Sequence, residues 1–288
     1  MPTLREVRRR IGGVQKTQKI TRAMKMVAAA KLRRAQSRVV AARPYARAIR
    51  DLLADMASGA AAQGADLMVP RDVRRVRLVV ITSDRGFCGA FNSNLIRAAQ
   101  AHVASQGSGV RVDLVCVGRK GVDFFGKRGY PLAGRHPGVF TAPTYAWAQS
   151  LGAELIAAYR RGDVDRVDII YNEFKSIAQS RIVIEQHLPV PPPPPGQTPK
   201  RPIDYIYEPG RPEILSALIP RHLTMQLWRM LLESNAAEEG ARMAAMENAT
   251  ENAREMIDTL QLQYNKARQA AITKELLEVV SGAEALRG

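Results

Sequence analysis

The stretch TLREVRRRIGGVQKTQKITRAMKMVAAAKLRRAQSRVV (residues 3–40) holds one helical period and carries it on to Ser58. At alternating three- and four-residue spacing it gives Leu4, Val7, Ile11, Val14, Gln18, Thr21, Lys25, Ala28, Leu32, Ala35, Val39, Ala42, Ala46, Ile49, Leu53 and Met56. Thirteen of these sixteen positions are apolar. A stripe kept at that spacing over about eight heptads marks a coiled-coil seam. The three exceptions, Gln18, Thr21 and Lys25, are consecutive in the seam. Beside them Ile20, Met24 and Val27 make a stripe displaced by one residue, which predicts a local stutter. Thr3 and Glu6 have capping-box spacing, and Pro44 predicts a kink. At about 1.5 Å per residue, a helix over residues 1–58 would be roughly 80 Å long. It needs a partner.

The charge is concentrated in the same place. Residues 1–50 contain fifteen Lys or Arg and one acid, Glu6, whereas the other 238 residues hold twenty-eight basic and twenty-six acidic side chains. The overall charge of +16 therefore belongs to one helix rather than to a uniformly basic surface. The chain has 288 residues, 46% of them hydrophobic, enough for a substantial core. No run of about 18 apolar residues is present, so no transmembrane helix is expected. The charged opening residues predict no removable leader. Two cysteines, Cys88 and Cys116, without metal-type spacing fit a reducing compartment.

From about residue 70 to 208 the period changes, after a small-residue hinge at Ser58–Gly64. Strands are predicted at Val76–Thr82, Val110–Val117, Arg166–Phe174 and Arg181–His187. Helices are predicted at Asn92–Ser105 and Thr144–Arg161, with a short one after Gly118-Arg119-Lys120-Gly121. Alternating strands and helices with short links predict a Rossmann-like, doubly wound α/β domain. The prolines at 191–195 predict a stiff exposed loop, and Ile203–Tyr207 an edge strand.

From residue 212 to 286 the helical pattern returns, roughly 110 Å if unbroken, with Pro220 near its start. Ala237, Ala241, Ala244, Ala249 and Ala253 suggest a small-residue face suited to close helix approach. One long helix enters the α/β domain and the other leaves it, so their mutual pairing must be antiparallel. The fold class is thus α/β, with a two-helix coiled coil built from both termini. The second helix is longer, and about twenty residues, or about 30 Å, should extend past the first. There Ile272, Leu276, Leu277, Val279, Val280, Ala283 and Leu286 surround the helix. A helix that is apolar all round is buried, which predicts a socket in another protein.

Catalytic chemistry is hard to find. The loop Ser83–Phe91 lies between a strand and a helix, where α/β proteins hold phosphates, but it lacks GxGxxG and GxxxxGK[ST]. Asp84 and Asn92 are expected to cap backbone groups in a tight turn. Cys88 reads as a small reduced residue in that turn. His102, His136, His187 and His222 have no ligand spacing and read as surface or satisfied histidines. No GxSxG or HExxH is present.

Three separated motifs, in order, resemble the gamma subunits of F-type ATP synthases. They are Ile11–Met26 followed by Val-Ala-Ala-Ala-Lys, then Ser83-Asp84-Arg85-Gly86 with Cys88-Gly89, then Ile272-Thr273-Lys274-Glu275-Leu276-Leu277-Glu278 through Gly282-Ala283. Tyr264–Gln269 precedes the last. Phe87, Ala90 and Phe91 depart from the family's usual Leu, Gly and Leu, and no chloroplast-type regulatory cysteine pair is present. The resemblance implies a central-stalk rotor inside a ring of three alpha and three beta subunits, with its α/β part bound to epsilon and the membrane c-ring. It implies beta contacts at Arg22, Met24, Lys25, Arg268, Gln269 and Thr273. It also implies a bearing tip at Ile272, Leu276, Leu277 and Val280, and a foot at Tyr205, Tyr207 and Glu208. A non-catalytic subunit without cofactors follows, peripheral on the cytoplasmic face of a bacterial plasma membrane. Two other readings stay open on the residues alone: a basic coiled-coil nucleic-acid binder and a nucleotide-dependent α/β enzyme.

Overall fold

The computed structural model describes residues 3–57, 66–176, 179–191, 208 and 210–285. Its first element, α1 (Leu4–Ala57), is continuous through Pro44. Thr3 and Glu6 cap it reciprocally. The Glu6 N–H donates to Thr3 Oγ1 at 3.4 Å and the Thr3 N–H donates to Glu6 Oε2 at 2.9 Å. That backbone N–H, more than any other group, lowers the Glu6 pKa. All sixteen seam positions are buried or half-buried. The stutter does not occur. Ile20 and Val27 are 59% and 56% exposed, while Thr21 is buried. The seam runs straight through its polar stretch because hydroxyls and an ion pair take the place of apolar contacts.

The remaining elements are β1 (Arg75–Ile81), α2 (Phe91–Ala104), β2 (Arg111–Val117), α3 (Arg119–Lys127), β3 (Leu132–His136), a 3₁₀ turn at Val139–Thr141, α4 (Tyr145–Arg160), β4 (Arg166–Ser176), β5 (Gln179–Leu188) and α5 (Arg211–Ala285). The sheet order is β3-β2-β1-β4-β5, with the first four strands parallel and β5 antiparallel to β4. β3 was not foreseen. Its sequence, LAGRH, has no apolar run, since it is an edge strand with alternating exposure and a bulged pairing to β2. The segments predicted as a hinge (Ser58–Gly64) and a last strand (Ile203–Tyr207), and four of the five prolines, lie outside the described residues.

The chain divides into two compact units, and the division falls inside both long helices. One unit runs from Ala29 to Ala241 and holds the sheet. Its central strands, β1, β2 and β4, are buried on both faces, as a mostly parallel sheet requires. Val79, Ile81, Val115, Val117, Val167 and Ile169 pack with α4 and with the Ala46–Met56 and Leu215–Leu231 segments of the long helices. Leu78, Val80, Leu114, Cys116 and Ile170 face α2 and α3. Burial pushes the Cys116 thiol up to about 12. Gly118 is required where β2 turns into α3. Its φ is +88°, and a Cβ there would stand 2.1 Å from the Thr82 carbonyl oxygen.

The other unit pairs α1 up to Ala28 with α5 from Arg242. Thr21 meets Thr250 and Lys25 meets Glu247, so numbers rise on one helix as they fall on the other. The pair is antiparallel. On α5 the seam passes through Met246, Thr250, Ala253, Ile257 and Leu260. Ala244, expected on the small-residue face, is exposed.

Candidate functional site

Within the helix pair, polar groups hold the seam where apolar ones are missing. Thr21 Oγ1 lies 2.8 Å from Thr250 Oγ1, and the Thr250 hydroxyl donates to the Met246 carbonyl at 2.7 Å. The Lys25 ammonium donates to Glu247 Oε1 at 2.6 Å. Both partners of that pair are well exposed, so its net worth is at most about 1 kcal/mol and it exchanges readily. Arg22 is exposed and Met24 half-buried. The expected contact residues thus divide: Arg22 is free to meet a partner, and Lys25 already serves an internal one.

Straightening the seam turns Ile20 and Val27 outward. Residues 20, 24 and 27 share one helical face, so they form an apolar stripe directed at solvent, flanked by the exposed cations Lys16, Lys19 and Arg22. Met26, 62% exposed, lies near it, and Met256 and Leu262 are exposed on α5. These three were missed by the sequence reading. The available signal was a large apolar residue off the seam of an amphipathic helix.

The end of α5 carries the other exposed surface. Ala271 is half-buried, and every side chain from Ile272 to Ala283 is exposed. Ile272, Leu276, Leu277, Val279 and Val280 are between 48% and 70% exposed. So many large aliphatic groups in water exceed the scattered exposure normal for a surface. Arg268, Gln269 and Thr273 are exposed just before and within this tip, and the Thr273 hydroxyl donates to the Gln269 carbonyl at 3.0 Å. The tip is bare.

In the sheet-bearing unit, the loop after β1 is filled by its own carboxylate. Asp84 Oδ1 accepts from the backbone N–H groups of Arg119 (2.9 Å) and Gly138 (2.6 Å), and Oδ2 from that of Phe140 (2.9 Å). Asn92 Oδ1 accepts from the Ser83 N–H at 3.0 Å. Both side chains do the capping expected of them. Asp84 thereby ties the loop to the first turn of α3 and to the Gly138–Phe140 turn, and none of its three donors belongs to α2. Cys88 is buried, and the Asn92 amide donates to its sulfur at 3.2 Å. Phe87 sits at φ +61° with its ring exposed.

Three of the four histidines differ from expectation. His102 does contact a partner, Asp168, at 3.0 Å. His136 Nε2, His187 Nε2 and His222 Nδ1 are buried without a hydrogen-bond partner. Burial lowers the pKa of His187 to about 3 and that of His222 to about 4. Neither is a surface residue nor fully satisfied. Of the expected foot, Tyr205 and Tyr207 lie outside the described residues, and Glu208 is exposed.

With this geometry in place, comparison with known proteins is direct. The family model for ATP synthase matches residues 3–286. The chain is 48% identical over 293 residues to the ATP synthase gamma chain of Chlorobium phaeobacteroides, and 49% over 294 residues to that of Prosthecochloris aestuarii, covering 100% of both chains in each case. Among solved structures it is similar to a chain in the central stalk and c-ring of the Tetrahymena thermophila mitochondrial ATP synthase, at 26% identity and a TM-score of 0.63, covering 80% of this chain and 99% of that one. A chain of the Euglena gracilis mitochondrial ATP synthase matches its fold with a TM-score of 0.69 at 22% identity, covering 98% and 94%. End-to-end agreement with these relatives settles the family: the chain belongs to the ATP synthase gamma chains.

Proposed function

We propose that this chain is the central-stalk rotor of an F-type ATP synthase, coupling rotation of a proton-driven membrane ring to conformational change at catalytic sites on beta. The observation that carries the reading is the exposed aliphatic end of α5, from Ile272 to Val280, which needs a socket that no other described residue supplies. A ring of three alpha and three beta subunits would supply that bearing, with Ile272, Leu276, Leu277 and Val280 seated in it. Arg268, Gln269 and Thr273 would meet beta beside the tip. Arg22 and the outward Ile20–Met24–Val27 stripe would meet it lower down, with Lys25 able to trade Glu247 for a carboxylate of beta. Rotation works by population shift: a shaft that contacts the three beta conformations unequally favours a different one at each angle. Catalysis then stays on beta and this chain needs no catalytic site. Tyr205, Tyr207 and Glu208 would belong to the foot near epsilon and the c-ring, placing the subunit peripherally on the cytoplasmic face of the membrane. The described residues include no helix long and apolar enough to cross a membrane.

Reconstitution tests this. Mixed with alpha and beta subunits, the full chain should join a hexamer and stimulate its ATPase. A chain cut after Ala271 should assemble poorly while its α/β unit stays folded. Failure of the intact chain to join or stimulate alpha–beta complexes would overturn the reading.

A further inference from the structure

Inside the sheet-bearing unit, a guanidinium on α5 reaches both strands of the β4–β5 pair. Arg229 Nη2 donates to Glu185 Oε2 on β5 at 2.8 Å, and Nη1 donates to the Tyr171 hydroxyl on β4 at 3.0 Å. The Tyr171 hydroxyl in turn donates to Glu185 Oε1, which closes a ring of three side chains from three elements. Ile169 is paired with Glu185 in the sheet, so Tyr171, two residues on, lies on the same face. Arg229 is also held along its own helix. Its Nε donates to Gln226 Oε1 at 2.8 Å, three residues back, and Nη1 donates to Glu233 Oε1 at 3.3 Å, four residues on. The planar fork is thus braced on α5 before it reaches the strands, and little rotamer freedom is left to lose. Tyr171 and Glu233 are buried and Arg229 is half-buried, so salt screens these contacts less than surface pairs.

Two kinds of attachment meet here. Leu223, Leu227, Met230 and Leu231 of α5 pack into the core shared with the sheet. Apolar burial is non-directional, and it opposes separation of the helix from the sheet. Turning the helix about its axis exchanges one set of aliphatic contacts for another. Charge-assisted hydrogen bonds are directional and weaken steeply when bent, so the forked arrangement opposes the turn itself. A second polar link, from the Asn172 N–H to Ser234 Oγ at 3.3 Å, is longer and uncharged.

α5 is one continuous helix from Arg211 to Ala285, and a rotor carries its load as twist about such an axis. We propose that Arg229 is the torque clasp of this chain, a positioning residue that stops α5 from turning against β4 and β5 under load. This role rests on the rotor reading and adds to it the point in the α/β unit where twist passes between helix and sheet. Charge alone is insufficient for it. A lysine would keep an ion pair with one carboxylate and lose the fork that holds both strands.

The complete ATP synthase assembled with this chain in lipid vesicles provides the test, with ATP hydrolysis and proton uptake measured together. Arg229→Lys should hydrolyse ATP within about twofold of the unaltered enzyme when an uncoupler removes the gradient. With the gradient allowed to build, it should move fewer protons per ATP, by about twofold or more. Leu227→Ala is the control: it removes fully buried aliphatic contact from the same stretch of α5. It should lower Tm at least as much as Arg229→Lys while leaving protons per ATP unchanged. Tyr171→Phe keeps both charges and opens the ring. It should also lower protons per ATP, and it carries the test if Arg229→Lys does not assemble. An unchanged ratio in the clasp variants, or an equal fall in Leu227→Ala, overturns the clasp. An unaltered chain that supports no ATP-driven proton uptake overturns the rotor reading instead.

Discussion

The two compact units bury their apolar residues in opposite ways. In the α/β unit, β1 and β2 bury successive residues on alternate faces, and both faces are covered from within the chain. In the helix pair, burial is confined to a narrow stripe, with Val7, Thr21 and Ala28 buried on α1 and Met246, Ala253, Ile257 and Leu260 on α5, and Ile20, Met26, Val27, Leu262 and the α5 tip remain in water. The first unit completes its own core. The second is folded as a helix pair and unfinished as a surface, which is what an element that must slide against partners requires. A fully buried contact would fix the shaft, and a fully polar one would transmit nothing.

Acid should separate the units most. His187 and His222 are kept neutral by burial in the α/β unit, with folded pKa values near 3 and 4, below the ordinary value of 6.5. Below that value the unfolded chain takes up protons that the folded chain refuses. Their contribution is therefore complete above about pH 6.5 and declines as pH falls towards 4, by up to about 1.4 kcal/mol per pH unit for each histidine. Denaturant melts between pH 7 and 4.5 should show this loss, and His222→Leu should reduce the slope. A flat profile would mean that both histidines take up protons freely in the folded chain.

Next in size is Leu155→Ala, at a fully buried position of α4, which should cost about 2–5 kcal/mol in urea unfolding. Asp84→Ala strips the acceptor from three backbone N–H groups and should cost about 1–3 kcal/mol. A smaller loss would mean water replaces the carboxylate. Lys25→Ala should change stability by no more than about 1 kcal/mol, read in the same melts, since its pair with Glu247 is exposed.

The smallest effect on folding is the most informative for the comparison. Leu276→Ala with Leu277→Ala should change the stability of the isolated chain by less than about 0.5 kcal/mol, because both side chains are already in water. The same variant should weaken assembly with alpha and beta measurably by gel filtration. A large loss of stability in the isolated chain would show that the tip has a partner within it.

Much of this was legible. The long helices and the seam follow from a local period, and every seam residue from Leu4 to Met56 is at least partly buried. The parallel strands with apolar runs were legible for the same reason. β3 was not, because an edge strand needs no apolar run to pair. The tip could be read from apolar residues placed all round a helix. The expected contacts at Arg268, Gln269 and Thr273 came from resemblance, and their exposure leaves them available. The polar cluster of Glu185, Arg229 and Glu233 was invisible, because β5 and α5 are distant along the chain.

What the sequence determined alone was periodicity, and with it the existence of two long helices and a doubly wound layer. Periodicity is a property of neighbours along the chain. Which of two adjacent stripes is buried near residue 21 was decided by the partner helix: Thr21 reaches Thr250, 229 positions away, and Ile20 is turned to solvent as a result. Asp84 likewise gains its role from N–H groups 35 to 56 residues further on. A hydrogen bond at a fixed distance depends on where two segments meet, and only the folded chain brings them together.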